Sequence, residues 1–463
     1  MLNILETTIT LFSGGFAEDL NALGKAIQWI VGLGVGIGGA WVGIILFTLV
    51  LRTVLLPLDA FSKASMRKNS LKMEKMRPQL EKLQKQYQND KNAYNQKMLE
   101  LYKKNGYSML GACLPMLVTM IVFIVVLSAF SSYSEFANVD VYEKMAASYS
   151  SSIRAYAAEE STFTPWQQQA DGTYIRTETR DSEDALLRET YTWTIVPSEE
   201  GEALAEDLGA PVAKGTVSVS AATYTVKTDN VLAALGKGDA ALDAAYEDVK
   251  AAQAGLAGDV NAMDAGTRDT LAAAVMQQLG SRAAAATYET DKDSFFWVKN
   301  IWLPDTSYNH PVPDEPPTEN FPVAAYERIT ANLAEQKEQA NGYYIMIVIS
   351  VGTMFLSQFI ISKSNKAQNE LQTADGRGQK TQRVMMIAMP IIFGIFSFMY
   401  STAFTLYMVV GNIYNILSTV VINLIIDRKF RKIEEREIQE KYNKRIPHAA
   451  HNGTYVRNGG KKK

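Results

Sequence analysis

The sequence is poor in the residues that most soluble enzymes and secreted scaffolds depend on. Its 463 residues include one cysteine, Cys113, and three histidines, His310, His448 and His451. A single cysteine excludes a disulfide framework, and no histidine lies near it, so a cysteine/histidine zinc site is excluded too. No metal site and no cofactor is expected. Acidic residues are missing from all five of the longest apolar runs. A net charge of −3 and a mean hydropathy of −0.08 describe a soluble chain, but they average two unlike kinds of segment.

A helix needs about 20 apolar residues to cross a bilayer core. Residues 26–51 carry no charge, and their apolar run continues past Arg52 to Leu58. The runs 109–130, 342–361, 384–400 and 403–426 follow. Pro390, inside the fourth, is tolerated in a membrane helix. Ser401 and Thr402 alone separate the last two runs, which predicts a tight membrane hairpin. The class is therefore an α-helical polytopic membrane protein with five spans. The start does not read as a cleaved signal, because no basic stretch precedes it and Glu6, Glu18 and Asp19 interrupt the apolar residues. Phe16, Leu20, Leu23 and Ile27 recur at helical spacing, so residues 16–30 are expected to form an amphipathic helix in the membrane interface.

Basic residues accumulate on the cytoplasmic side of a membrane. Residues 59–108, 342–383 and 427–463 carry net charges of +7, +3 and +7, while residues 133–341 carry −19. Alternation across five spans puts the basic segments on one side and the acidic insertion with the N-terminus on the other. The expected topology is N-terminus outside, C-terminus in the cytoplasm. The domain order is an N-terminal segment (1–33), first span (34–58), cytoplasmic helical hairpin (59–108), second span (109–132), acidic extracytoplasmic insertion (133–341), third span (342–361), cytoplasmic loop (362–383), fourth span (384–400), fifth span (403–426) and basic tail (427–463).

In the hairpin, Met73, Met76, Leu80, Leu83 and Tyr87 step by three and four, the spacing of a narrow helical seam. Asn89-Asp90 signals a turn, and Tyr94, Met98 and Leu101 give the facing stripe. Two readings stand: a hairpin packed on itself, or a docking arm whose flexible methionines (Met73, Met76 and Met98, with Leu80) meet apolar nascent segments. In the insertion, residues 173–179, 189–196 and 215–227 alternate as strands do. Residues 229–288 are alanine-rich and read as helices, and the proline-rich residues 304–322 as an extended linker. An α+β insertion results. Asp291 and Asp293 are read as a solvated acidic turn rather than a cation site.

Gly34-Val35-Gly36-Ile37-Gly38-Gly39 matches a dinucleotide fingerprint in letters only, because no strand precedes it and a membrane span follows. The same glycines permit close helix packing. Arg52 is the most informative residue. It lies about 9 Å along the helix from Leu58, and a mid-membrane arginine costs about 2.5–3.5 kcal/mol on insertion scales. It either snorkels to the cytoplasmic interface or faces a water-filled intramembrane cavity. No carboxylate in any span can pair with it. Thr48, Thr119, Gln358, Asn412 and Asn415 are among the polar residues able to line such a cavity. Asn412, Asn415 and Thr419 share a helix face.

These residues resemble those of the YidC/Oxa membrane protein insertases. The resemblance rests on Thr48-Leu49-Val50-Leu51-Arg52-Thr53-Val54-Leu55-Leu56-Pro57-Leu58, on Leu101-Tyr102-Lys103-Lys104-Asn105-Gly106, and on Met109-Leu110-Gly111-Ala112-Cys113-Leu114-Pro115-Met116-Leu117. It also rests on Leu406-Tyr407-Met408-Val409-Val410-Gly411-Asn412. The resemblance covers about residues 16–132 and 342–435. It implies a five-helix insertase core around a hydrophilic groove, open to cytoplasm and lipid, with Arg52 as the groove arginine, Gln358 a groove residue and Tyr407 in the fifth-span motif. Met408 stands where a tryptophan is usual and Thr119 where a glutamine is common. The insertion lies between the second and third spans, as if added to a Gram-positive type of core. The implied activity is membrane insertion in the bacterial plasma membrane, without covalent chemistry. Nascent membrane proteins are the implied substrates, and the Sec translocon is a possible partner. Arg428, Lys429, Arg431, Lys432, Lys461, Lys462 and Lys463 suit the ribosome or anionic lipid, and DNA is not expected. The competing reading is a secondary transporter binding an anionic solute at Arg52, which predicts inverted repeats that five spans do not provide. An extracellular receptor needs a signalling domain that the short basic tail cannot hold.

Overall fold

The computed structural model describes residues 8–9, 11–12, 20–107, 109–364 and 377–445. The chain divides into two compact units, Met1–Gly24 with Ser131–Tyr343, and Lys25–Phe130 with Tyr344–Lys463.

The second of these is helical. Helix α1 is Ala22–Val35 and α2 is Ala40–Gln86. Helix α3 (Lys91–Lys104) completes the hairpin and α4 (Met109–Arg154) begins the second apolar run. The later apolar runs form Ile345–Ser364, Arg377–Ser397 and Thr402–Arg445, labelled α10, α11 and α12 below. Among the described residues four helices are long and apolar enough to cross a membrane, and Met386–Ser397 is a shorter apolar stretch. Val54, Ile121, Val348, Leu417 and Ile425 are exposed. Such a continuous apolar skin suits hydrocarbon rather than water. A helix is expected over residues 16–30; the helix found, α1, runs from Ala22 to Val35, and Phe16 lies outside the described residues. Ile27 and Val31 are buried while Trp29 and Leu33 are exposed. A Cβ on Gly34 would lie 2.0 Å from the Gly43 nitrogen, and one on Gly43 would lie 2.4 Å from the Val31 Cα, so the glycines let α1 and α2 touch backbone to backbone. Helix α1, not a strand, leads into this turn, so the dinucleotide context is absent.

The hairpin forms because two stripes meet. Met73, Met76, Leu80 and Tyr102 bury one another, with Met98, Leu101 and Tyr107 packed around them. Asp90 caps α3 by accepting from the Asn92 and Ala93 amides at 3.0 and 2.9 Å, satisfying donors that a helix start leaves open. Pro57 and Pro78 both lie inside α2. Each removes one helical hydrogen bond without ending the helix.

The other unit holds an antiparallel sheet in the order β1-β7-β5-β4-β2, with β3 paired to β4 and β6 to β5. The strands are β1 Thr8–Ile9, β2 Ser161–Phe163, β3 Gln167–Gln168, β4 Tyr174–Arg180, β5 Leu187–Pro197, β6 Gly215–Val219 and β7 Thr223–Val226. The alternating run 215–227 is thus two strands, because Ser220 leaves the ladder and Thr192 accepts its amide at 2.8 Å. The alanine-rich segment forms α5 Thr228–Ala234, α6 Ala240–Ala252 and α7 Ala265–Asp291. Short helices α8 (Val323–Ile329) and α9 (Ala334–Glu338) follow. Tyr142, Tyr149, Leu187, Tyr224, Leu242, Leu271, Met276 and Tyr326 are part of one core between sheet and helices. The proline-rich stretch does not run free: Asp305, Thr306, Val312 and Phe321 are buried.

Polar pairs tie the strands. Arg176 lies over the rings of Phe163, Trp166 and Trp193 at 4.4, 4.6 and 5.2 Å. Glu189, fully buried, accepts from the Tyr224 hydroxyl at 2.8 Å and pairs with Arg154 and Arg180 at 3.5 and 3.6 Å. Asp181 accepts from Lys227 and Arg188, each at 2.9 Å. Burial alone would raise the Asp181 carboxyl, but the bonds and charges of Lys227 and Arg188 outweigh it and hold the group below the usual carboxylate range.

Two expectations follow. Leu80→Ala should cost about 2–5 kcal/mol of hairpin stability, seen as faster amide exchange across residues 71–104, whereas exposed Leu99→Ala should change it by less than about 0.5 kcal/mol. Equal exchange in both variants would contradict the seam. The Asp181 carboxylate stabilises the fold above the ordinary carboxylate range, and that contribution is lost as pH falls through its depressed folded value. The thermal midpoint of the insertion, followed by near-ultraviolet circular dichroism, should therefore drop on acidification from about pH 5 to about pH 3, and Asp181→Asn should flatten that slope.

Candidate functional site

Arg52 sits at the end of the uncharged part of the first apolar run, on α2. Its neighbours on α12 explain how it is held. The guanidinium carbon lies 5.6 Å from the centre of the Tyr407 ring. One turn along α12 is Gly411, where a Cβ would stand 2.7 Å from Arg52 Nη2. The absent side chain is the space the guanidinium occupies. Tyr407 is itself fixed: it is buried, with its ring 5.1 Å from Phe130 and 5.8 Å from Phe404. Arg52 Nε is buried and has no hydrogen-bond partner among the described residues. A cation over an aromatic face is attracted by the ring's negative charge, by about 0.5–2 kcal/mol. No carboxylate pairs with Arg52 among the described residues, in keeping with the acid-free spans.

Below Arg52 the two helices are joined by a polar ladder. Thr53 Oγ1 lies 3.3 Å from the Tyr414 hydroxyl, Lys63 donates to Thr419 Oγ1 at 2.8 Å, and Arg67 pairs with Asp427 at 3.8 Å. Residue numbers rise together on both helices, so α2 and α12 run parallel, the relation that a first and a fifth span must have.

The other candidates are distributed unevenly. Asn412 Nδ2 reaches Thr353 Oγ1 on α10 at 3.5 Å, and Thr419 Oγ1 lies 3.4 Å from Asn415 Oδ1. The shared face of Asn412, Asn415 and Thr419 is thus divided between α10 and α2. Thr48 is fully buried and donates to its own helix, to the Ile44 carbonyl at 2.7 Å. Gln358 lies half-buried on α10. The side chain of Thr119 lies outside those described. Met73, Met76 and Leu80 are buried in the hairpin seam and Met98 lies at its rim. Arg428, Lys429, Arg431 and Lys432 are exposed on α12, while Lys461, Lys462 and Lys463 lie outside the described residues. Among the described residues no group of histidine, cysteine or carboxylate side chains is arranged to hold a metal ion; Asp291 pairs with Lys144 and Asp293 accepts from Trp302 Nε1.

Sequence reasoning missed Gly411 as the gap for Arg52 and Tyr414 as the partner of Thr53. Tyr407, Gly411 and Tyr414 are spaced by four and three, one helix face, which is the signal that was available. Gly411→Val should displace the guanidinium and destabilise the helix pair. In a double-mutant cycle read by thermal unfolding in detergent, adding Arg52→Ala should relieve part of that cost, with a non-additivity of about 0.5–3 kcal/mol. Strict additivity would separate the two residues.

Comparison with known proteins identifies the family. A profile of the 60Kd inner membrane protein family matches residues 33–168 and 273–429, together more than half of the chain. A membrane protein insertase YidC from Alkalilimnicola ehrlichii is 41% identical over 106 residues, 23% of this chain and 18% of that protein. One from Clostridium perfringens is 34% identical over 145 residues, 30% of this chain and 55% of that protein. One from Fusobacterium nucleatum is 38% identical over 84 residues, 18% of this chain and 39% of that protein. These matches span between about a fifth and about half of the relatives' length. No solved structure matches. Apolar runs without acidic residues, an arginine in the first of them and this family match lead to one assignment: the chain belongs to the 60Kd inner membrane protein family, the YidC/Oxa family.

Proposed function

We propose that this protein is an insertase and chaperone for membrane proteins. It moves short hydrophilic tails across the bacterial plasma membrane, and apolar segments into it, through a hydrophilic groove that carries Arg52. The observation that carries this reading is the Arg52 guanidinium on α2, seated against Tyr407 and Gly411 with Nε unbonded among the described residues.

The physics is direct. Moving a polar tail through hydrocarbon strips water from its charges and leaves its backbone groups without partners. A wet groove of partial depth shortens the dry path. Arg52, charged at every physiological pH, attracts acidic residues of the tail, while Thr48, Thr119, Gln358, Tyr407, Asn412 and Asn415 offer polar partners along the way. The apolar segment then slides into lipid between the helices, and its burial supplies the free energy, so neither ATP nor covalent catalysis is required. Contact of the nascent chain with Met73, Met76 and Leu80 requires the hairpin seam to part, with Met98 at the rim reached first. The exposed Arg428, Lys429, Arg431 and Lys432 suit ribosomal RNA or anionic headgroups. The proposed orientation is N-terminus outside and C-terminus in the cytoplasm, and the Sec translocon is a candidate partner.

The test is complementation. In a host depleted of its own insertase, the wild-type chain should restore insertion of a small single-span substrate with an acidic tail. Arg52→Ala should lower that insertion by roughly tenfold, equivalent to about 1.4 kcal/mol, and Arg52→Lys should retain much of it. Full activity of Arg52→Ala would remove the electrostatic step; failure of the wild type would remove the function.

A further inference from the structure

Residues 295–298 make a two-residue hairpin turn. The Phe295 amide donates to the Val298 carbonyl at 2.9 Å, and the Val298 amide donates back to the Phe295 carbonyl at 2.9 Å. Phe296 and Trp297 form the tip. Turns this short favour Asn-Gly and similar pairs, because the backbone passes through the left-handed region. Phe296 has φ 51°, a conformation that strains a bulky side chain. Its ring is also 83% exposed. Strain and exposure of a large apolar ring coincide at one residue, and a local rule broken in this way points to function rather than stability. The ring does not stand alone: its centre lies 4.7 Å from that of Phe295 and 6.0 Å from that of Trp297.

Hydrogen bonds fix where this tip belongs. Lys299 donates its amide to the Asn341 carbonyl at 3.1 Å, and the Asn300 amide donates to Asn341 Oδ1 at 2.8 Å. The Gly342 amide donates to the Thr306 carbonyl at 3.0 Å, and the Tyr343 amide to Asp305 Oδ1 at 2.7 Å. Helix α10 begins at Ile345, so Tyr343 stands at most about 7 Å of chain from an apolar helix. On the other side, Tyr133 meets Trp302 edge-on at 5.3 Å, and Asn138 Oδ1 accepts from Asn300 Nδ2 at 3.0 Å. Tyr133 lies three residues beyond the apolar run 109–130. The loop is thus pinned to both segments through which the insertion joins the apolar helices. Tyr308 and Tyr343 are exposed as well.

Aromatic rings with one polar end settle at the headgroup level of a bilayer. We propose that the Phe296–Trp297 tip, with Tyr308 and Tyr343, is an interfacial anchor that seats the insertion on the bilayer crossed by its own flanking helices. Its partner is the boundary between lipid headgroups and acyl chains. Phe296 enters that boundary, and the tyrosine hydroxyls remain at the wet side. The anchor is independent of what the helical core carries.

The experiment uses the full chain with Cys113→Ala, reconstituted in vesicles of phosphatidylethanolamine and phosphatidylglycerol. A nitroxide is attached at Phe296→Cys, or at Val196→Cys in the sheet as the reference. Collision with oxygen is compared with collision with a water-soluble nickel chelate. The label at 296 should show an oxygen-to-nickel ratio several-fold above that at 196, and Tyr308→Cys should give an intermediate ratio. Equal ratios at 296 and 196 would overturn the proposal. So would a label at 296 shielded from both reagents, the result expected of a protein partner. Should Phe296→Cys perturb the loop, Tyr308→Cys decides: a ratio above that at 196 supports the anchor, and one equal to it overturns it.

Discussion

A permanent cation in an apolar helix constrains everything around it. Arg52 cannot shed its charge, and the spans offer no carboxylate, so its environment must come from shape and from a ring. Tyr407 supplies a face at 5.6 Å, and Gly411 supplies room by having no side chain. Both stand on α12, which binds the position of Arg52 to the register between α2 and α12. That register is held further along by Thr53 with Tyr414, Lys63 with Thr419 and Arg67 with Asp427. These contacts are worth little singly, about 0–1 kcal/mol for a partly exposed ion pair. Their use is to set alignment, since apolar surfaces alone slide past one another in lipid.

The parts of the fold governed by composition and period were legible in the sequence. Runs without charge gave the helices of the apolar unit, and the steps among Met73, Met76 and Leu80 gave the seam that buries them. Alternation gave β4 and β5. What was hidden depends on partners distant in the chain. Gly411 reads as an ordinary small residue until α2 is laid beside it. Thr8–Ile9 is too short to carry a pattern, and it becomes a strand only because Tyr224 and Thr225 offer an edge. The prolines of 304–322 signal extended chain, but the stretch is a succession of bends and turns in which Asp305, Val312 and Phe321 find burial that no local rule foretells. Within the candidate site, Arg52 and Asn412 were legible as polar residues in apolar runs and Tyr407 through the resemblance of its motif; the division of the Asn412 face between two helices was not.

The family match leaves residues 169–272 uncovered, the segment that holds β4 to β7 with α5 and α6. The matched part of the insertion includes α7 from residue 273 onward and the loop that meets Asn341. The insertion is therefore not one block added to a membrane core: family-matched chain frames it at both ends, and the sheet fills the middle. Its polar network joins that middle to the matched frame: Glu189 and Arg180 lie within residues 169–272, and Arg154, which pairs with Glu189, lies in the matched residues 33–168.

The pairing of β1 with β7 has a consequence for biosynthesis. Thr8 aligns with Thr225, and Ile9 with Tyr224, so these two residues find their ladder partners only after more than two hundred further residues have been made. Until then β1 has no strand to pair with. A contact of such long sequence separation makes for slow closure and a long window of exposure, so this edge of the sheet forms only once both distant segments are present.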